Sequence, residues 1–191
     1  MENERPRSVA LTDVKQMRAL AHPLRMQVLG ELRINGPRTA GALAEVFGEA
    51  PGTLSYHLRK LAEFGFVEEV PELAADRREH WWRAAHEYTE MHPVAADAPA
   101  AERMASAAIR HQVIDGYAAI LHRAIEATAN QPREWVEAAA EFDAFAFLTA
   151  AQLAEAGAEL ESVVQKWHDL GDRNHVGAEA VHLIVHAVRR P

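Results

Sequence analysis

PGTLSYHLRKLAEF, residues 51–64, decides how this chain is read. At 100° per residue, Leu54, Leu58 and Leu61 fall within about 60° of one another and form one apolar stripe of a helix. Gly52, Tyr56 and Arg59 lie opposite, with Thr53, Ser55 and Lys60 on the flanks. Residues 50–62 carry two basic side chains and no acidic one. Such a face suits the major groove of duplex DNA, where hydrogen-bonding groups meet base edges and cations meet phosphates. Pro51 fits a first helical turn, and Gly65 stops the helix.

Working outward, the same apolar spacing predicts a helix over 11–21 from Leu11, Val14, Met17 and Leu20. A second starts at Pro23 with Leu24, Val28, Leu29 and Leu32 inward and ends at Asn35-Gly36-Pro37. A third is capped by Thr39, turns Ala42, Leu43, Val46 and Phe47 inward, and closes at Gly48. Beyond Gly65 the period changes. Residues 66–70 and 79–83 are rich in strand formers around a polar stretch that opens at Pro71, which predicts a β-hairpin. Short helices, the last two joined by Gly48-Glu49-Ala50, followed by a hairpin, are the parts of a winged helix-turn-helix.

The stretch 22–70, HPLRMQVLGELRINGPRTAGALAEVFGEAPGTLSYHLRKLAEFGFVEEV, resembles the DNA-binding domain of ArsR-type winged-helix bacterial regulators. The similarity rests on the HPLR opening, on Ser55-x-His57-Leu58-x-Lys60-Leu61 and on Gly65-Phe66-Val67. DRREHWWRA at 76–84 resembles the wing of the longer members. Two positions depart from the usual pattern. Pro51-Gly52 stand where Gln-Ser is common, and Asp76 stands where a glycine often turns the wing.

The resemblance implies a sequence-specific regulator of transcription, a repressor bound to double-stranded operator DNA as a homodimer, with a possible small-molecule effector. The candidate DNA-binding residues are Thr53, Ser55, Tyr56, Arg59 and Lys60 on the helix and Arg77 and Arg78 on the wing. His57 lies at the edge of the leucine face and reads as a packed, hydrogen-bonded side chain. Of Trp81 and Trp82, one is expected in the core.

The expected fold is α+β and mainly helical. Residues 1–91 form the winged helix-turn-helix, 92–101 a linker with Pro93 and Pro99, and 102–191 a helix and strand domain for dimerisation and effector binding. A long helix over 102–129 bears a wide stripe of Met104, Ile109, Val113, Tyr117, Ile120, Leu121 and Ala124, from which Met104, Ile109, Val113, Tyr117 and Ile120 are read as meeting a second subunit. Residues 135–148 alternate weakly and suggest a strand. Thr149 caps a helix to about Leu170, and the β-branched run 181–188 suggests a final strand.

At 191 residues the chain is long enough for one or two domains with a real core. It has no cysteine, which excludes disulfides, thiolate metal sites and cysteine nucleophiles. The net charge of −8 argues against a uniformly basic nucleic-acid binder, but it is unevenly spread. Residues 1–90 hold 12 Lys and Arg against 14 Asp and Glu, and 91–191 hold 8 against 14. For DNA the local stripe matters more than the sum.

The charged start lacks a secretory pattern, and no run reaches the roughly 18 apolar residues of a membrane helix. A cytoplasmic protein with no membrane partner is expected. Phosphate loops, nucleophile elbows and His-Glu-x-x-His motifs are absent, so an enzyme is not expected, nor is a cofactor.

Eleven histidines raise a metal alternative. His111 and His122 return to one helix face with Asp115 and Glu126, at the ten-residue gap used by some zinc or nickel sensors of the family. Ile109 and Ile125 occupy the flanking ligand positions, and i,i+4 His–carboxylate pairs account for the pattern. The alternatives to a DNA-binding repressor are thus a metal-responsive sensor and a protein-interaction module with a relict winged helix. His182 and His186 share a side of the final strand and read as packing residues.

Overall fold

The computed structural model describes residues 8–76, 78–91 and 94–190. The expected helices form where the apolar spacing puts them. They are α1 (Val14–Leu20), α2 (Pro23–Asn35), α3 (Ala40–Phe47) and α4 (Pro51–Glu63). Local chemistry sets their ends. The Asp13 carboxylate accepts from Lys15 N at 2.7 Å to start α1, and Thr39 Oγ1 accepts from Ala42 N at 3.2 Å to start α3. Pro23 and Pro51 open α2 and α4. Gly48 closes α3 at φ 67°, a left-handed conformation that a side chain would strain.

Two small sheets frame the helices. Strands β2 (Arg38–Thr39), β3 (Val67–Glu69) and β4 (Trp81–Ala84) form an antiparallel sheet in the order β2-β4-β3. Its register sets Glu68 opposite Arg83, and the two side chains pair at 2.7 Å. Strands β1 (Ser8–Ala10) and β5 (Tyr88–Glu90) run parallel, with Ser8 opposite Tyr88. The expected hairpin is therefore a three-stranded wing, because Arg38-Thr39, read only as a helix start, also pairs with Trp82-Trp81.

The chain divides into two compact units, Met1–Ile120 and Leu121–Pro191. In the first, Val28, Leu29, Leu43, Leu54, Leu58, Leu61 and Phe66 are buried, each side chain contributing roughly 1.5–3 kcal/mol by leaving water. Helix α5 (Ala100–Ala127) begins in this unit and adds Ala105, Ile109 and Val113 to the same core. The stripe read as a surface for a second subunit is thus partly used up within the chain: Ile109 and Val113 are covered, while Met104 and Leu121 are exposed. Arg33 fastens the same region. Its guanidinium donates to the His86 carbonyl at 3.0 Å and to Thr89 Oγ1 at 2.8 Å, and burial pushes its pKa down to about 10.

The second unit comprises the end of α5, a short turn Thr128–Asn130, α6 (Arg133–Ala138) and α7 (Ala150–Leu170). Thr149 and Gln152 form a reciprocal capping box at the start of α7. Two expectations are corrected here. Residues 135–148 are not a strand: α6 takes their start and the remainder is irregular. Residues 181–188 have strand-forming side chains but no ladder among the described residues. A strand needs a neighbouring edge for its backbone groups, and β propensity alone does not supply one.

Candidate nucleic-acid interface

The turn between α3 and α4 is built by Gly48 and by the Glu49 amide, which donates to the Ala44 carbonyl at 3.1 Å. It sends α4 off with Leu54, His57, Leu58 and Leu61 against the core. The opposite face is thereby forced outward. Thr53 and Ser55 are half-buried, and Tyr56 and Arg59 are exposed. At 13 residues α4 is about 20 Å long, and a B-form major groove about 12 Å wide admits a helix of ordinary diameter.

The outward side chains are not equally available. Ser55 Oγ donates to the Pro51 carbonyl at 2.9 Å, and Arg59 Nε donates to the Ser55 carbonyl at 3.1 Å. Both bonds lie along the helix and leave Ser55 an acceptor and Arg59 its terminal nitrogens. Lys60 pairs with Glu63 at 2.7 Å, and that hydrogen bond raises its pKa. Part of the Lys60 charge is therefore answered within the helix, which the count of residues 50–62 stopped short of.

Beside α4 lies an open groove of about 490 Å³, walled by the start of α3 and by the wing. Thr39, Ser55 and Arg59 line it from the helices, and Arg78, Glu79 and His80 from the wing. Arg78 is exposed, on the same groove as Arg59. Arg77 lies outside the described residues.

Asp76 does the turning that a glycine would do. Its Oδ1 accepts from the amides of Arg78 at 2.6 Å and Glu79 at 3.2 Å. Glu79 in turn accepts from the Ala75 amide at 2.8 Å. Both carboxylates are thus bonded to loop backbone. The polar groove residues that sequence reasoning missed are Thr39, Glu69, Glu79 and His80. Thr39 was visible only as a cap, and the other three enter through the pairing of β3 with β4.

His57 is packed, as expected, but its Nδ1 is buried without a hydrogen-bond partner. Its ring lies 4.6 Å from that of His22 and 5.3 Å, edge-on, from Tyr56. The hydrogen bond expected for it is not made at Nδ1. Trp82 is the core tryptophan, and Trp81 is half-buried. On α5, His111 and His122 are exposed, and no group of three or more His, Asp or Glu side chains able to hold a metal occurs among the described residues. No helix among them is long and apolar enough to cross a membrane.

A helix-turn-helix domain family matches residues 20–70, which include α2, α3, α4 and β3. No curated protein matches the chain. Among solved structures the chain is similar to a transcriptional regulator, Tm0710 from Thermotoga maritima. That pair has 15% identity and a TM-score of 0.32, over 82% of this chain and 89% of the other.

Proposed function

We propose that the protein is a sequence-specific regulator of transcription of the ArsR type, with α4 in the major groove and the wing along the backbone. One observation carries the reading. Within a matched helix-turn-helix domain, α4 turns Thr53, Ser55, Tyr56 and Arg59 outward with no acidic side chain among residues 50–62. Arg59 is the base reader, since its free fork matches the two acceptors of a guanine edge. Thr53, Ser55 and Tyr56 complete the contact, and Lys60, Arg77 and Arg78 meet phosphates.

A single α4 reads too few base pairs for useful specificity, so the regulator acts as a homodimer on a near-palindromic site, with half-sites about 34 Å apart or a multiple of it. The second unit supports dimerisation: Phe142, Phe145 and Phe147 are at least 81% exposed, a display of aromatic surface that water disfavours. Repression follows from occlusion of a promoter, relieved by an effector that prefers one dimer geometry. Footprinting on the protein's own promoter tests this. A protected palindrome that Arg59→Ala weakens supports it, and sequence-independent binding that Arg59→Ala leaves untouched defeats it.

A further inference from the structure

The described residues hold two imidazoles in ring contact whose presence the DNA-reading face does not explain. His22 caps the start of α2 without using its side chain as a cap, and His57 belongs to the buried face of α4. Their centroids are 4.6 Å apart, and the Nδ1 atoms of both are shut off from solvent with no hydrogen-bond partner. Arg25, one turn along α2, lies close enough to act on both rings. It is itself held in place, donating from Nε to the Ala19 carbonyl and from Nη2 to the Arg18 carbonyl at 3.2 Å.

We propose that His22 and His57 form a proton-operated latch, in which two neutral rings seat α4 against the start of α2 and protonation of either ring releases it. Adding a proton would place a second and then a third positive charge around a site that already contains a fixed guanidinium. The amides at the α2 N-terminus point the same sign of potential at His22. Of the groups facing the pair, Arg25 on α2 opposes protonation. Glu49, in the turn before α4, is the one carboxylate acting on His57, and its effect is the smallest of those on that ring. Tyr56 on α4 contributes only its ring edge. Burial, and then Arg25, hold His22 below the ordinary histidine range, while burial, then His22, then Arg25 do so for His57.

The sign is fixed by linkage. With the folded pKa depressed, the unfolded chain takes up protons first, so the stabilisation is complete above about pH 6.5 and is lost as pH falls through and below it. Each pH unit by which folding lowers a histidine's titration is worth about tenfold in the folding equilibrium. Because Tyr56 adjoins the latch and faces outward, release also disturbs the reading face. That consequence rests on the DNA-binding function proposed above, whereas the effect on stability does not.

The experiment is a pair of titrations on the full chain and on His22→Asn, asparagine being a favoured helix cap that carries no proton. Imidazole resonances of the wild type should titrate below the ordinary range, and His57 should move up when His22 is replaced. The folding equilibrium of the wild type should weaken as pH falls below about 6.5, and His22→Asn should lose part of that dependence, up to about tenfold for each pH unit of depression removed. Promoter affinity should fall on acidification in the wild type and fall less in the variant. His57 titrating in the ordinary range, unchanged by His22→Asn, overturns the latch, as does a variant that keeps the full pH dependence of unfolding. A chain that meets the stability expectations yet binds no DNA leaves the latch standing and removes the regulatory reading.

Discussion

The two units of the chain hold their shape by different means. In Met1–Ile120, leucines from three helices close on one another, and Leu43, Leu54, Leu58 and Leu61 are fully buried. In Leu121–Pro191 no described residue is buried, and Phe147, Trp167 and Val176 face solvent. The second unit is organised by local devices instead: the Thr149–Gln152 capping box, the Arg133–Glu137 pair at 2.6 Å and the Gln165–Asp169 bond at 2.8 Å. The two side-chain pairs are worth a few tenths of a kcal/mol each and the cap about 1 kcal/mol, less than a buried leucine. The lesson is that helical periodicity is shared by self-sufficient and dependent segments alike. What separates them is whether a second apolar face lies within reach.

That contrast yields its largest effect in the core. Leu58→Ala should cost about 2–5 kcal/mol of unfolding free energy in urea, because the cavity sits under α4. Phe147→Ala should change the stability of the dilute monomer by no more than about 0.5 kcal/mol, while reducing self-association in sedimentation. An equal loss at Phe147, independent of protein concentration, would break the comparison.

The next effect concerns the work that the rigid unit does. Arg59→Ala should weaken operator binding by about 1–3 kcal/mol and relax preference at one base pair, with unfolding unchanged. Titrations against single-position operator variants check it. A uniform loss across all variants would move Arg59 from base to phosphate.

Smaller again is the cap of the second unit. Thr149→Ala removes the bond that the Thr149 hydroxyl accepts from the Gln152 amide and should cost about 1 kcal/mol of α7 stability, read as lost helical circular dichroism. If the second unit owes its order to local devices, this loss appears well below the global transition. Coincidence with the melting of the leucine core would mean that the two units unfold together.

The smallest effect belongs to the wing. Arg78→Ala should make the slope of log K against log salt shallower by about 1, with no change in base preference. An unaltered slope would detach the wing from the DNA and leave α4 to act alone.

Much of the first unit was legible in sequence because its signals are local. Leu54, Leu58 and Leu61 return to one face at any helical backbone, Thr39 caps whatever helix follows it, and Gly48 supplies its turn without a partner. The outward placement of Tyr56 and Arg59 follows from the same count. Long-range features were not legible. The parallel pairing of Ser8–Ala10 with Tyr88–Glu90 joins residues eighty positions apart, and neither segment alone announces a partner. Arg33 reads as a surface cation until the His86 carbonyl and Thr89 are brought to it.

Sequence by itself therefore determined the helices of the first unit, their order, the face that α4 turns outward and the helix from Thr149, since each depends on side-chain spacing within a few turns. Tertiary structure alone decided that the start of α5 belongs to the winged-helix core, that Arg38-Thr39 adds a third strand to the wing, and that 181–188 forms no ladder in the single chain. It also decided that His22 meets His57. Each of these needs a second surface or a second edge, and the choice of partner is made by the packing of distant residues.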